Sequence, residues 1–174
     1  AYLAPIAAYL PRHSARILDV GAGPGHVARH LCGLGHDVTA VEPVTAFRDH
    51  GAAITPQAHW RHDELPALQT FGGDTFDVTL ALAVLHHLTP ADRATALARL
   101  AALTAPGGQI MLALKGAFDL EAPPGFTRTC DTVRPSLQPG NRAAGVTWRW
   151  LNFTKDPAAC PTKCELLSKR ARRR

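Results

Sequence analysis

Residues 15–25 read Ala-Arg-Ile-Leu-Asp-Val-Gly-Ala-Gly-Pro-Gly, and this stretch decides the fold. Its first half, Ala15–Val20, is a short apolar run stopped abruptly by glycine, the pattern of a buried strand entering a tight turn. Glycines at 21, 23 and 25 let a ligand approach the backbone where a Cβ would collide. Beyond the turn, Val27, Ala28, Leu31 and Leu34 fall on one helical stripe. Strand, glycine turn and helix in that order predict an α/β sheet with a ligand site at its carboxyl edge.

The same alternation continues outward. Asp37–Val41 reads as a second strand closing on Glu42-Pro43, followed by a short helix to about Gly51 and a third strand near 57–61. Phe76–Val84 is a near-continuous apolar run suited to burial on both faces. Thr89-Pro90-Ala91-Asp92 opens a helix, with Thr89 as N-cap and Pro90 in the first helical position. Ala94, Leu97, Leu100, Ala101 and Leu103 form its expected buried stripe, Ala105-Pro106-Gly107-Gly108 its stop, and Gln109–Leu114 a fifth strand. Phe126–Val133 and Val146–Phe153 read as a closing pair joined by a loop over 134–145 rich in Pro and Gly. The connection 115–125 is too short for a helix-containing crossover. One sheet face should therefore be left partly bare, an apolar patch that a homodimer or a rearranged terminal hairpin would cover.

The chain has 174 residues, 46% apolar and 19% charged, the size and composition of one globular domain. That domain is expected over 1–154, with a basic, disordered tail over 155–174. The net charge of +5 belongs wholly to the tail, because residues 1–154 carry 12 basic and 12 acidic side chains. A neutral body argues against a nucleic-acid partner. The terminal run Lys169-Arg170-Ala171-Arg172-Arg173-Arg174 reads as a solvated end or as an electrostatic contact for RNA or acidic surfaces.

No run approaches the length of a membrane span, no signal-peptide pattern opens the chain, and Ala1 reads as a trimmed boundary. Four scattered cysteines do not make a secreted disulfide scaffold, so a cytoplasmic location is expected. Cys160 and Cys164 could supply half of a zinc site, but zinc wants four ligands and every histidine lies at or before His87. No metal is expected.

Glu42 stands 21 residues after Gly21, where a carboxylate can accept both hydroxyls of a ribose. A solvent-facing acid after a strand is the other reading. The dinucleotide fingerprint would need a third glycine where His26 stands, and the chain lacks a Tyr-x-x-x-Lys pair, so an NAD(P)-dependent oxidoreductase is disfavoured. Asp19-Val20-Gly21-Ala22-Gly23-Pro24-Gly25 instead resembles the first motif of class I S-adenosylmethionine-dependent methyltransferases. Glu42, Phe76-Asp77-Val78 and Ala105-Pro106-Gly107-Gly108 match that family in order. Val84-Leu85-His86-His87-Leu88 is similar to its small bacterial "methyltransferase domain 11" type. The resemblance runs from about Ile17 to Leu114 and returns over 135–153.

That resemblance implies a Rossmann-like, doubly wound, mostly parallel seven-stranded sheet with an antiparallel C-terminal hairpin, and S-adenosyl-L-methionine as cofactor. Asp19 and the backbone of Gly21, Ala22, Gly23 and Gly25 would hold the methionine end, and Glu42, followed by Pro43, the ribose. Asp63, with Glu64 beside it, would accept from the adenine amino group, unless it is simply a loop acid in solvent. Ala81 and Leu82 would offer backbone carbonyls near the methionine ammonium.

Methyl transfer depends mostly on alignment, so no obligatory catalytic side chain is expected. His86 and His87 are the candidates for a base, against a packing or capping role. His26 is placed to line the pocket. Tyr2 and Tyr9, in a reduced amino-terminal cap, could touch the cofactor or be plain surface aromatics. Trp148 and Trp150 are expected to pack against a helix or a neighbouring chain rather than stack on substrate. The functional expectation is methyl transfer to a small-molecule O, N or C nucleophile. The alternative is a non-catalytic cofactor-binding or interaction protein that has lost its acceptor site.

Overall fold

The computed structural model describes residues 3–116 and 119–157. Tyr2, the cysteines at 160 and 164 and the basic run at 169–174 lie outside the described residues. In chain order the elements are β1 (Arg16–Val20), α1 (His26–Gly33), β2 (Asp37–Val41), α2 (Thr45–Ile54), β3 (His59–Arg61) and β4 (Phe76–Leu82). They continue with α3 (Pro90–Leu103), β5 (Thr104–Lys115), β6 (Phe126–Pro135), α4 (Pro139–Ala143) and β7 (Thr147–Lys155). One seven-stranded sheet carries the order β3-β2-β1-β4-β5-β7-β6. Strands β1 to β5 pair in parallel, and β7 runs antiparallel to both β5 and β6. This is the expected doubly wound sheet with its C-terminal hairpin.

Alternate residues of each strand face opposite cores, which is why the strands read as unbroken apolar runs. On one face Leu18, Val20, Ile110, Leu112 and Leu151 pack with Leu97, Leu100 and Leu103 of α3. On the other, Ile17, Val78, Leu80, Met111 and Trp150 pack with Ala28 and Leu31 of α1 and with Leu3 and Ile6.

Several boundaries differ from the sequence reading. Leu34 is 54% exposed because α1 ends at Gly33, so it drops off the predicted stripe. In α3 it is Ala96, not the exposed Ala94, that joins the core. The cap itself forms as predicted, with Thr89 Oγ1 accepting the Asp92 amide at 3.2 Å. β4 stops at Leu82, because Ala83 turns to φ +64°. β5 begins at Thr104 rather than Gln109: Phe76 pairs with Thr104 and Val78 with Gln109, so the glycine stop is a bulge within the strand. The 134–145 loop contains the short α4.

The bare face expected from the short 115–125 connection is not there. Leu151 and Phe153 are fully buried, and Leu120 and Ala122 pack against the same core. Arg128 lies over the Phe153 ring, 5.7 Å from its centroid, and Asp131 pairs with Arg128 at 3.0 Å and Arg149 at 2.7 Å. The argument for a dimer across this face loses its basis. β7 also runs past residue 154, and Lys155 Nζ donates to the carbonyls of Ala101 at 2.9 Å and Thr104 at 2.7 Å, closing the C-terminal end of α3. Among the described residues no helix is long and apolar enough to cross a membrane.

Candidate functional site

The carboxyl ends of β1, β2 and β4 meet at one edge of the sheet, where the chain leaves β1 through the glycine turn. Gly21 has φ +70°, and a Cβ there would overlap Val84. The Gly21 and Ala22 amides donate to the Val41 carbonyl at 2.9 and 3.0 Å, tying the turn to β2. Behind the turn, the Trp60 indole fills the space beside Gly25 and Gly51, and its Nε1 donates to the Thr55 carbonyl at 3.2 Å.

Glu42 is 5% exposed and braces the same turn. Its Oε2 accepts the Gly23 amide at 2.8 Å and its Oε1 the Val44 amide at 2.9 Å. The predicted ribose acid therefore has a first task within the fold, although each oxygen keeps a further lone pair. Pro43, next to it, accepts at its carbonyl from Arg48 at 3.4 Å.

Asp19 is 2% exposed, and its Oδ2 has no hydrogen-bond partner. Burial, with Glu42 nearby, pushes its pKa up to about 7. It forms part of the wall of a cleft of about 730 Å³ together with Gly21, Ala22, Gly23, His26 and Leu82. An unsatisfied buried carboxylate in a cleft wall fits a bound ammonium group, which would restore its charged form. His26 lines this cleft as expected. Ala81 does not, because its side chain faces the α3 side of the sheet.

Asp63 and Glu64 take no part in that wall. The Asp63 carboxylate accepts the Glu64 and Gln69 amides at 2.8 and 3.2 Å, and the Thr70 amide and hydroxyl at 2.7 and 2.6 Å. Those bonds, the Thr70 hydroxyl foremost, hold its pKa below the usual carboxylate value against the opposing effect of burial. It is the knot of the 63–70 loop rather than an acid in free solvent. Arg99 ties the loop to α3 by donating to the Ala67 and Leu68 carbonyls at 3.0 and 2.9 Å, and to that of Phe71.

His86 sits in a 3-10 turn after β4, its ring edge-on to Trp148 with centroids 5.5 Å apart. Nδ1 accepts the Lys115 amide at 3.5 Å. Burial, then His87, Lys115 and Arg93, lower its pKa to about 4, so the ring is neutral at physiological pH. His87 lies against it, with centroids 4.1 Å apart. Neither ring is part of the wall of the Asp19 cleft. Tyr9 points away from the cleft, its hydroxyl donating to the Thr129 carbonyl at 3.2 Å.

Two features escape a reading of the sequence. A second cavity of about 680 Å³ adjoins the first, and the two share Ala4 and Ala83 in their walls. Trp148 and Trp150 line it, so part of their surface is turned to a cavity as well as to neighbouring side chains. Ala83 carried only the end of an apolar run as a signal. Its left-handed φ, rare for a residue with a Cβ, would have marked it only after the backbone was seen.

Residues 17–108 match the model of a methyltransferase domain, just over half the chain. A ubiquinone biosynthesis O-methyltransferase of Xanthomonas oryzae pv. oryzae is 31% identical over 111 residues, 62% of this chain and 46% of that protein. An uncharacterized methyltransferase of Mycobacterium bovis is 34% identical over 112 residues, 63% of this chain and 55% of that one. The chain thus spans about half the length of the curated relatives it matches. Among solved structures, the Burkholderia thailandensis 1,6-didemethyltoxoflavin-N1-methyltransferase, bound to 1,6-didemethyltoxoflavin and S-adenosylhomocysteine, superposes with TM-score 0.70 at 25% identity. That match covers 88% of this chain and 76% of the other. A methyltransferase of Methanosarcina mazei shares the fold, with TM-score 0.71 at 15% identity over 87% of this chain and 97% of the other.

Proposed function

The chain belongs to the methyltransferase domain family, and from that premise we propose that it transfers a methyl group from S-adenosylmethionine to a small-molecule O, N or C nucleophile. The observation that carries this reading is the buried, unpartnered Asp19 Oδ2 in the wall of the cleft beneath the glycine turn. Asp19 would hold the amino group of the methionine end, and the turn would accommodate the rest of that end. Glu42 would keep the turn in shape and offer its spare lone pairs to the ribose, and Asp63 would fix the loop that borders the adenine.

The cofactor, held at its methionine end by Asp19 and the glycine turn, would supply an activated methyl on a sulfonium. The protein's contribution is alignment and exclusion of water. His86 packs edge-on against Trp148, and burial leaves its ring too weakly basic to make an effective general base. The second cavity, meeting the first at Ala83, supports turnover over the reading as a binding protein without an acceptor site.

The proposed domain starts at residue 1 and runs through Asp156, since Lys155 closes β7 and the Asp156 amide donates to the Gly125 carbonyl at 2.8 Å, with a basic stretch of sequence beyond it. A cytoplasmic enzyme acting on a diffusible acceptor, not on nucleic acid, accords with the neutral body. Calorimetric titration with S-adenosylhomocysteine, against NAD as matched control, tests the reading. Micromolar binding of the first alone supports it, and binding of neither overturns it.

A further inference from the structure

The second cavity has a composition that selects for a ligand. Trp148 and Trp150 form its apolar floor, with Ala83 and Ala4 on the side shared with the cofactor cleft. The hairpin register sets Arg134 directly across from Trp148, at the ends of β6 and β7 that lie on the cofactor edge of the sheet. Arg142, from α4, joins it on the rim. Both guanidiniums belong to exposed residues, and neither makes a hydrogen bond or ion pair among the described residues. Arg128 and Arg149 on the opposite face of the hairpin, by contrast, are both paired with Asp131. The cavity wall contains no acidic residue, and its other polar groups are those of Ser136 and Gln138.

We propose that this cavity is the acceptor site and that it takes a planar aromatic carboxylate, its ring against the half-buried Trp148 indole and its acid on Arg134 and Arg142. This inference rests on the methyltransferase reading. Indole faces favour a flat ring over a saturated one through stacking and desolvation. Guanidinium forks bind carboxylates in two-point contacts. With no acid in the wall to compete, a cationic acceptor would meet two like charges, and a neutral one would leave both forks unused. A volume of about 680 Å³ suits a small ligand of one or two rings.

The test is calorimetric titration of the full chain, first with S-adenosylhomocysteine alone. In its saturating presence, mono- and bicyclic aryl carboxylates are then titrated, each beside its primary amide and its saturated-ring analogue. The expected result is a carboxylate bound about tenfold or more tighter than either counterpart. In the R134Q/R142Q double variant that preference should collapse while S-adenosylhomocysteine binds as before. Equal binding of acid and amide, no binding of any aryl acid, or a preference that survives both substitutions would overturn the assignment. Failure of S-adenosylhomocysteine itself to bind would instead sink the methyltransferase reading beneath it.

Discussion

The carboxylate of Glu42 accepts the amide of Gly23 at 2.8 Å, so the acid that ends β2 sets the shape of the turn that ends β1. The proposed role in cofactor binding is thereby joined to one in folding, since the second oxygen holds Val44 at the start of α2. Glu42→Ala should lower cofactor affinity by ~1–3 kcal/mol and also lower the melting temperature of the free protein, by removing the bonds to two partly buried amides. An unchanged melting curve would remove the bracing role. Unchanged affinity would remove the cofactor role.

Asp19 gives a pH dependence of defined sign. Its pKa in the folded chain, about 7, lies above the unfolded carboxylate value of 3.8. The folded state therefore holds the proton more tightly, and stability from this group is full below about pH 4 and declines as pH rises towards 7. Asp19→Asn should stabilise the free protein at pH 8, on the order of 3–4 kcal/mol, and have little effect at pH 4. Denaturant titrations at the two pH values check this. In the wild type, cofactor affinity should rise with pH through about 7, and Asp19→Asn should abolish that dependence.

Gly51 lies so close to Trp60 that an added Cβ would overlap the indole, which also contacts Gly25 of the turn. Gly51→Ala should cost ~1–3 kcal/mol through overpacking and weaken cofactor binding by displacing the turn. Gly33→Ala, where nothing lies within 4 Å of the new Cβ, is the control and should be neutral or slightly stabilising. Equal melting temperatures for the two variants would show that Trp60 does not brace the turn.

His86 should titrate near 4 by NMR, far below the ordinary imidazole value. His86→Asn should leave the shape of the methyl-transfer pH profile between 6 and 9 unchanged. A loss of about 100-fold or more in kcat, with a vanished ionisation in that range, would restore it as a general base.

Much of this architecture was legible because the residues concerned act locally. Asp37–Val41 declared its strand by burial on both faces, and Thr89, Pro90 and Asp92 declared their helix by capping chemistry. The turn at Gly21 announced both itself and the cleft at the carboxyl edge of the sheet. What was hidden depended on partners far along the chain. Asp63 could be placed near the cofactor, but only the folded 63–70 loop reveals that four hydrogen bonds already occupy it. Trp148 and Trp150 could be assigned to one face, but the cavity they line also needs Ala83, Arg142 and the amino-terminal Ala4 to exist. The expected bare patch does not form, because short pieces of chain outside any helix can cover a sheet face. The cover is supplied by Leu120 and Ala122, with the Arg128 guanidinium over the Phe153 ring.

Ala4 belongs to the walls of both cavities. The segment that carries it is moored downstream, where the Gln109 side chain donates to the Tyr9 carbonyl at 3.1 Å and the Tyr9 hydroxyl to Thr129. On the proposed reading, cofactor and acceptor would therefore share this stretch of wall. A bulkier side chain at position 4, chosen to narrow the second cavity, should then also weaken binding in the first.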